Sequence, residues 1–245
     1  MRAPLKMDER SFTICGMNRT DRNGQRIAQI LQAALQCFLV KGFHQTSMRD
    51  IAQAAGVSLG NLYNHFPGKE AIILAVAVAE GEELAPLLQR LAASDGERAR
   101  VLVFLQDFHA LCQQPEWATL AVEVLAESAR NPAVAEAFAA NRRQLQATLA
   151  EALQQVARRE RRRPVLAPAL QAQVLLDAIE SDALRRGLGE AGGTDEASLD
   201  LGLLADLQLP EGFAFLQRAA VQDSRSSSNK SAQTICGCIL SYLFP

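Results

Sequence analysis

Apolar residues recur at three- and four-residue spacing through most of the chain. Ile27, Ile30, Leu31, Ala34, Leu35 and Phe38 make the first stripe, the spacing that gathers side chains on one face of an α-helix. Gly42 ends it, because glycine takes the left-handed conformation of a helix exit at little cost. Ile51, Ala52 and Ala55 repeat the pattern on a shorter scale, opened by Ser47 and Asp50 at capping-box spacing and closed by Gly56. The helix framed in this way begins at Met48. Ser58 can cap another over 59–66, which buries little beyond Leu62 and Phe66 and leaves Asn61, Tyr63, Asn64 and His65 pointing outward. Residues 69 to about 91 read as one long helix with Gly81 and Pro86 as irregularities. Further helices are expected over 96–113, 115–130, 132–159, 168–187 and 199–220, with Ser94, Pro115 and the Asn131-Pro132 pair marking boundaries. No stretch reads as a β-strand, so the expected fold is all-α.

The segment 46–69 carries the most chemistry. A capped helix, a glycine turn and a short polar helix have the spacing of a helix-turn-helix, in which phosphate contacts position the protein and side chains on base edges specify sequence. Tyr63, His65 and Lys69 can donate to phosphate oxygens, Asn61 and Asn64 can read base edges, and the amides near Gly68 offer a partly positive anion site. The plainer alternative is a surface helix pair, with Tyr63 and His65 packing at a helix junction.

Charge is distributed in favour of the first reading. The whole chain has a net charge of −2, yet residues 17–69 carry six Lys/Arg against two Asp/Glu, whereas 70–245 carry 16 against 23. The basic end is the candidate DNA end. With 245 residues, 49% of them hydrophobic, the chain can bury a substantial core. Its five cysteines, Cys15, Cys37, Cys112, Cys236 and Cys238, follow no metal or disulfide spacing, and the odd count argues for reduced thiols in a cytoplasmic protein. No metal or cofactor is expected. Residues 1–16 lack the apolar core of a secretion signal, and 1–22 read as a disordered extension, with Met17 a candidate natural start. Residues 221–245 read as a polar linker followed by an apolar tail too short to span a membrane.

Arg26-Ile27 through Gly42-Phe43, then TSMRDIA, AAGVS, LYNHF and KEAI, together resemble the N-terminal domain of the tetracycline-repressor (TetR) family of transcriptional regulators. LAESARNPAVAEAF, beginning at Leu125, resembles the family's ligand-binding region less specifically. The resemblance implies a three-helix DNA-binding domain over 23–68, a helical ligand-binding and dimerisation domain over 69–220, a homodimer, and a double-stranded DNA operator as partner. It places Leu59, Gly60, Asn61 and Tyr63 on the recognition helix, with Ser58 at its start, and Met48 and Arg49 at the start of the supporting helix. Tyr63, His65 and Lys69 match the family's phosphate-clamping pattern. The family often has Thr, Ser or Ala where Asn61 stands, so the base read there does not carry over. Leu59 can touch a thymine methyl but cannot make a bidentate hydrogen bond.

In the remainder, Phe104, Phe108, His109, Cys112, Trp117 and Leu120, with Val124 and Phe138, mix aromatic bulk with few polar groups, as small-molecule pockets do. Ordinary core is the competing reading for each of them. Glu123 and Glu127, one helical turn apart, can hold a cationic ligand if they face inward, but solvent exposure is the favoured expectation. His109 and Cys112 share a helix face, yet no orienting group or oxyanion motif accompanies them, so a thiol enzyme is a distant alternative. The run 158–163 ends an expected helix, where its arginines complement the macrodipole. Leu170, Val174, Leu175, Ala178 and Ile179 make a stripe suited to a two-fold dimer interface. The expected function is a dimeric repressor released from a palindromic operator by a small-molecule ligand, with an activator or a ligand-independent regulator as alternatives.

Overall fold

A computed structural model describes residues 22–114, 116–164, 166–187 and 189. The extension over 1–21, Met17, the Pro115 boundary, the helix expected over 199–220, and the 221–245 tail lie outside them, as do Cys15, Cys236 and Cys238. The described residues form α-helices and no strand. In order these are α1 (Arg22–Lys41), α2 (Met48–Ala54), α3 (Leu59–His65), α4 (Lys69–Ala92), α5 (Arg98–Cys112), α6 (Trp117–Ser128), α7 (Pro132–Arg159) and α8 (Pro168–Gly187). Two compact units meet in sequence between Glu83 and Leu84, within α4. The division expected after residue 68 thus falls further along, because the first half of α4 buries Ile72, Ile73 and Val76 and groups with α1–α3. Gly81 and Pro86 flank the division, but the helix runs through both without a break.

The first unit is held by the α1 stripe. Ile30, Leu31, Ala34, Leu35 and Phe38 are all buried, together with Ile51, Ala52, Leu62 and Phe66. Gly42, at φ +79°, exits α1 and donates its amide to the Phe38 carbonyl at 2.8 Å. Thr46, also buried, donates its hydroxyl to the carbonyls of Gly42 at 2.8 Å and Cys37 at 3.2 Å, so the α1–α2 turn satisfies its own polar groups. Gln29 on α1 reaches across to donate to the Ala55 carbonyl at the end of α2, at 2.8 Å.

The second unit packs α5, α7 and α8 with the later turns of α4 around Leu91, Leu105, Leu149, Leu175, Leu176 and Ile179. Asn131 caps α7 by accepting from the Ala133 and Val134 amides, with Pro132 in the first turn where its missing N–H costs nothing. Arg158–Arg163 is exposed, and Arg159 donates to the Asp95 carbonyl at 3.0 Å. Gly96, at φ +72°, permits a close approach to the Gln155 carbonyl; a Cβ there would lie 2.8 Å from its oxygen. No described helix is long and apolar enough to cross a membrane.

Candidate nucleic-acid interface

Local capping builds the interface. At the start of α2 the Ser47 hydroxyl accepts from the Asp50 amide, and the Asp50 carboxylate accepts from the Ser47 amide at 2.8 Å, which completes the capping box. Lys41 adds a 2.7 Å ion pair to the same carboxylate. Hydrogen bonds from Lys41 and Ser47 hold the Asp50 carboxyl far below the ordinary carboxylate range, and the hydrogen bond to Asp50 raises the Lys41 ammonium. The exit of α2 is a two-bond glycine cap: Gly56, at φ +63°, donates to Gln53, and Val57 donates to Ala52. Ser58 then accepts from the Asn61 amide at 3.1 Å, starting α3. Phe66 leaves the helix in an extended conformation and closes it by donating to the Leu62 carbonyl. The expected 59–66 helix is thus one residue shorter.

A seven-residue helix cannot sustain itself in water. What holds α3 is Leu62, fully buried, and Phe66, 6% exposed. Anchoring by Leu62 turns the other side outward: Ser58, Gly60, Asn61, Tyr63 and Asn64 are exposed, while Leu59 and His65 are half-buried. Arg49 on α2 is exposed and Met48 half-buried. Open space lies beyond the Gly60 Cα. Asn61 and Asn64 therefore stand on the free side of a rigidly capped helix with Tyr63, half of whose surface is exposed. Lys69 is placed differently from the other expected phosphate donors. It is half-buried, its ammonium donates to the carbonyls of Phe43 at 2.7 Å and His44 at 3.1 Å, and it lies 4.8 Å from the Phe43 ring centroid.

In the second unit the expected pocket residues separate. Phe104, Phe108 and Cys112 are core, with the two rings stacked at 6.2 Å between centroids. Trp117 packs against that core from a partly buried position, and Leu120, Glu123, Val124 and Phe138 are half-buried. Glu127 corrects the expectation of solvent exposure: it is buried, 6% exposed, on the inner side of α6. Cys112 is buried, and His109 faces Gln113 and Asp182. Its Nε2 lies 3.1 Å from Gln113 Nε2 and 3.5 Å from the buried Asp182 carboxylate, which also accepts from Gln113 at 3.1 Å and Arg186 at 2.9 Å. Asp182 was missed from sequence; its only local signal is the pair Arg185 and Arg186, three and four residues on. Arg142 was missed too, and it joins α7 to α8 through Asp177 and Glu180.

The dimer stripe needs the same correction. Leu175 and Ile179 are fully buried within the single chain, packed with Leu176 and Ala183, and of the stripe only Leu170, Val174 and Ala178 remain half-exposed. A helix with apolar residues around most of its girth shows the same spacing whichever face turns inward.

Residues 30–76, which span most of α1, all of α2 and α3, and the start of α4, match the family model described as "Bacterial regulatory proteins, tetR family". The HTH-type transcriptional regulator UidR of Escherichia coli strain K12 is 29% identical over 173 residues, covering 67% of this chain and 87% of UidR. The HTH-type transcriptional repressor Rv1474c of Mycobacterium tuberculosis is 26% identical over 165 residues, 67% of this chain and 77% of that protein. Among solved structures, the flavonoid-responsive regulator FrrA superposes with a TM-score of 0.56 at 30% identity, over 80% of this chain and 97% of FrrA. UidR and Rv1474c are named as HTH-type regulators, and the residues that match the family model include the capped α2–α3 pair. The chain belongs to the TetR family of DNA-binding transcriptional regulators.

Proposed function

We propose that the protein is a dimeric repressor that reads a palindromic operator through α3 and leaves it when a small apolar or amphipathic molecule occupies the second unit. The observation that carries the reading is α3 itself: Leu62 and Phe66 anchor it inward, and Asn61, Tyr63 and Asn64 stand exposed on its free side. Tyr63, His65 and Arg49 supply phosphate donors, and Asn61 and Asn64 supply the side-chain amides that pair with adenine edges. The open space at Gly60 lets the backbone approach a duplex closely. Repression is in keeping with the name of the mycobacterial relative, and effector control with that of FrrA.

The proposed effector site lies beside Trp117, which packs against the closed core, the half-buried Leu120 and Val124 of α6 and the half-buried Phe138 of α7, with Glu123 and Glu127 as acidic neighbours on α6. Because α4 carries residues of both units, a change in its later turns has a covalent route to the first unit. The ligand must bind the non-reading state more tightly by about 5.5 kcal/mol to move occupancy from nearly full to nearly empty. Dimerisation is assigned to the half-exposed side of α8, with Leu170, Val174 and Ala178. Analytical ultracentrifugation of wild-type and Val174→Glu protein, combined with a screen for compounds that shift Trp117 fluorescence and release fluorescent DNA, tests both parts. A monomeric wild type, or binders that never change DNA affinity, would remove the corresponding part.

A further inference from the structure

The run 158–163 has an arginine at every position but Glu160, and the exit of α7 fixes it in place. Arg161 stands at φ +53°, in the left-handed region where a helix exit usually has glycine. Both hydrogen bonds of a Schellman exit are present: the Arg162 amide donates to the Ala157 carbonyl at 2.9 Å, and the Arg161 amide to the Arg158 carbonyl at 3.2 Å. Arg159 ties this exit to the turn before α5, through the Asp95 carbonyl at 3.0 Å and the Glu97 carboxylate at 3.7 Å. Arg98 and Arg100 follow that turn directly, in the first turn of α5. Seven arginines thus share one corner with the carboxylates of Asp95, Glu97 and Glu160, and seven against three leaves an excess of four positive charges. Residues 70–245 as a whole are acidic, with 16 Lys/Arg against 23 Asp/Glu. From this concentration of charge we infer that the second unit carries a surface of its own for the phosphate backbone of duplex DNA, separate from α3 and indifferent to sequence.

Helix electrostatics explains only part of the cluster. Arg158 and Arg159 lie in the last turn of α7, where the negative pole favours cations, but that preference fades within one turn and Arg161, Arg162 and Arg163 lie beyond it. Arg98 and Arg100 oppose the rule: they occupy the positive pole of α5, whose first turn has no acidic residue and whose Glu97 cap makes no side-chain hydrogen bond. Stability alone would place carboxylates there. Ion pairs relieve some of the repulsion, because Glu97 lies 2.9 Å from Arg100 and Glu160 lies 3.8 Å from Arg162. The excess that is left repels itself, and a polyanion neutralises it. A nucleic-acid backbone suits the corner better than other anions do. All of 158–163 is exposed, so its guanidiniums form an open cluster that can take phosphate oxygens in pairs along a polymer. The large apolar side chains exposed among the described residues, Val40, Tyr63, Val78, Val103 and Val122, all lie elsewhere, so the corner has no apolar anchor for a lipid surface.

A two-duplex capture assay tests the surface. Full-length protein is held at about 50 mM salt on an immobilised mixed-sequence duplex and offered a second, fluorescent duplex, whose capture is titrated with salt. Neither duplex needs a selected sequence, so the outcome does not depend on α3 reading bases. Wild-type protein is expected to capture the second duplex. Arg161→Gly/Arg162→Gln/Arg163→Gln should keep its melting temperature, because glycine suits the left-handed position and the other two side chains are exposed, and should keep its hold on the immobilised duplex. Its capture of the second duplex should weaken at least about tenfold, with a slope of log affinity against log salt shallower by roughly two to three units, about one for each arginine lost. Arg162→Lys/Arg163→Lys keeps the charge and should keep the slope.

Should the triple variant melt early, Arg162→Gln/Arg163→Gln leaves the α7 exit untouched and gives the same test, with an expected slope shallower by about one to two units. No capture of a second duplex by wild-type protein, or capture by the glutamine variants equal to wild type, overturns the inference. So does loss of the slope in the lysine variant, which would show that charge is not what holds the duplex. Phosphatidylserine vesicles offered in place of the second duplex complete the assay: arginine-dependent capture of vesicles without capture of duplex would make the corner a membrane surface and refute the assignment to DNA.

Discussion

Leu62→Ala puts the anchoring of α3 under the most direct mechanical test. Leu62 has no exposed surface and is the one buried side chain within a helix that packs against α2 and cannot persist alone. Truncating a buried leucine costs roughly 2–5 kcal/mol, the lost transfer energy plus the cavity left behind. The first unit has about 60 described residues, and domains of that length have total stabilities of roughly 3–9 kcal/mol. A loss near 3 kcal/mol therefore removes between a third and all of it. At a urea dependence of about 1 kcal/mol per M, the midpoint of that unit falls by ~3 M. The lone tryptophan, Trp117, belongs to the second unit, so its fluorescence follows that unit while far-UV circular dichroism follows both. The expected pattern is an early helical loss, a Trp117 transition close to wild type, and DNA binding weakened at least tenfold. Tight DNA binding with an unchanged dichroism midpoint would show that Leu62 is not what holds α3.

Smaller perturbations separate the remaining contributions. Ser58→Ala, which removes the α3 cap, is expected to cost about 1 kcal/mol and to weaken DNA binding less than Leu62→Ala does; a chemical denaturation series measures the difference. Asp50 has a folded pKa below its unfolded value of about 3.9, so its stabilisation is present above that pH and is lost as the pH falls through the folded value. The melting difference between wild type and Asp50→Asn should consequently be larger at pH 7 than at pH 2–3, and an equal difference at both would contradict the ion-paired capping box. Gly96→Ala places a methyl against the Gln155 backbone in a left-handed conformation, for an expected loss of roughly 1–3 kcal/mol in calorimetry with little change in DNA affinity.

Much of the first unit was legible because its determinants are local. Ser47 with Asp50, Gly56, and Ser58 each act within three or four residues, so the start of α2 at Met48 and of α3 at Leu59 follow from sequence alone. The long helices α7 and α8 likewise begin at Pro132 and Pro168, where proline suits a first turn. What sequence did not disclose depends on distant partners. Lys69 meets carbonyls more than twenty positions back, and Asp182 gathers His109 and Gln113 from another helix. Glu127 lies on a helix whose inner face no period assigns securely, because apolar residues surround it. Leu175 and Ile179 share a stripe with Val174 and Ala178, and only packing decides which residues enter the core.

Sequencing the duplexes that purified protein retains from a random pool, alongside those retained by an Asn61→Ala/Tyr63→Phe/Asn64→Ala variant, addresses sequence reading by α3 most directly. Wild-type protein is expected to enrich one palindrome with half-sites about one helical turn, ~34–36 Å, apart, and the variant to lose that enrichment while remaining folded. Retention of the same palindrome by the variant, or no enrichment by wild type at low salt, would contradict the assignment of α3 as the helix that reads DNA.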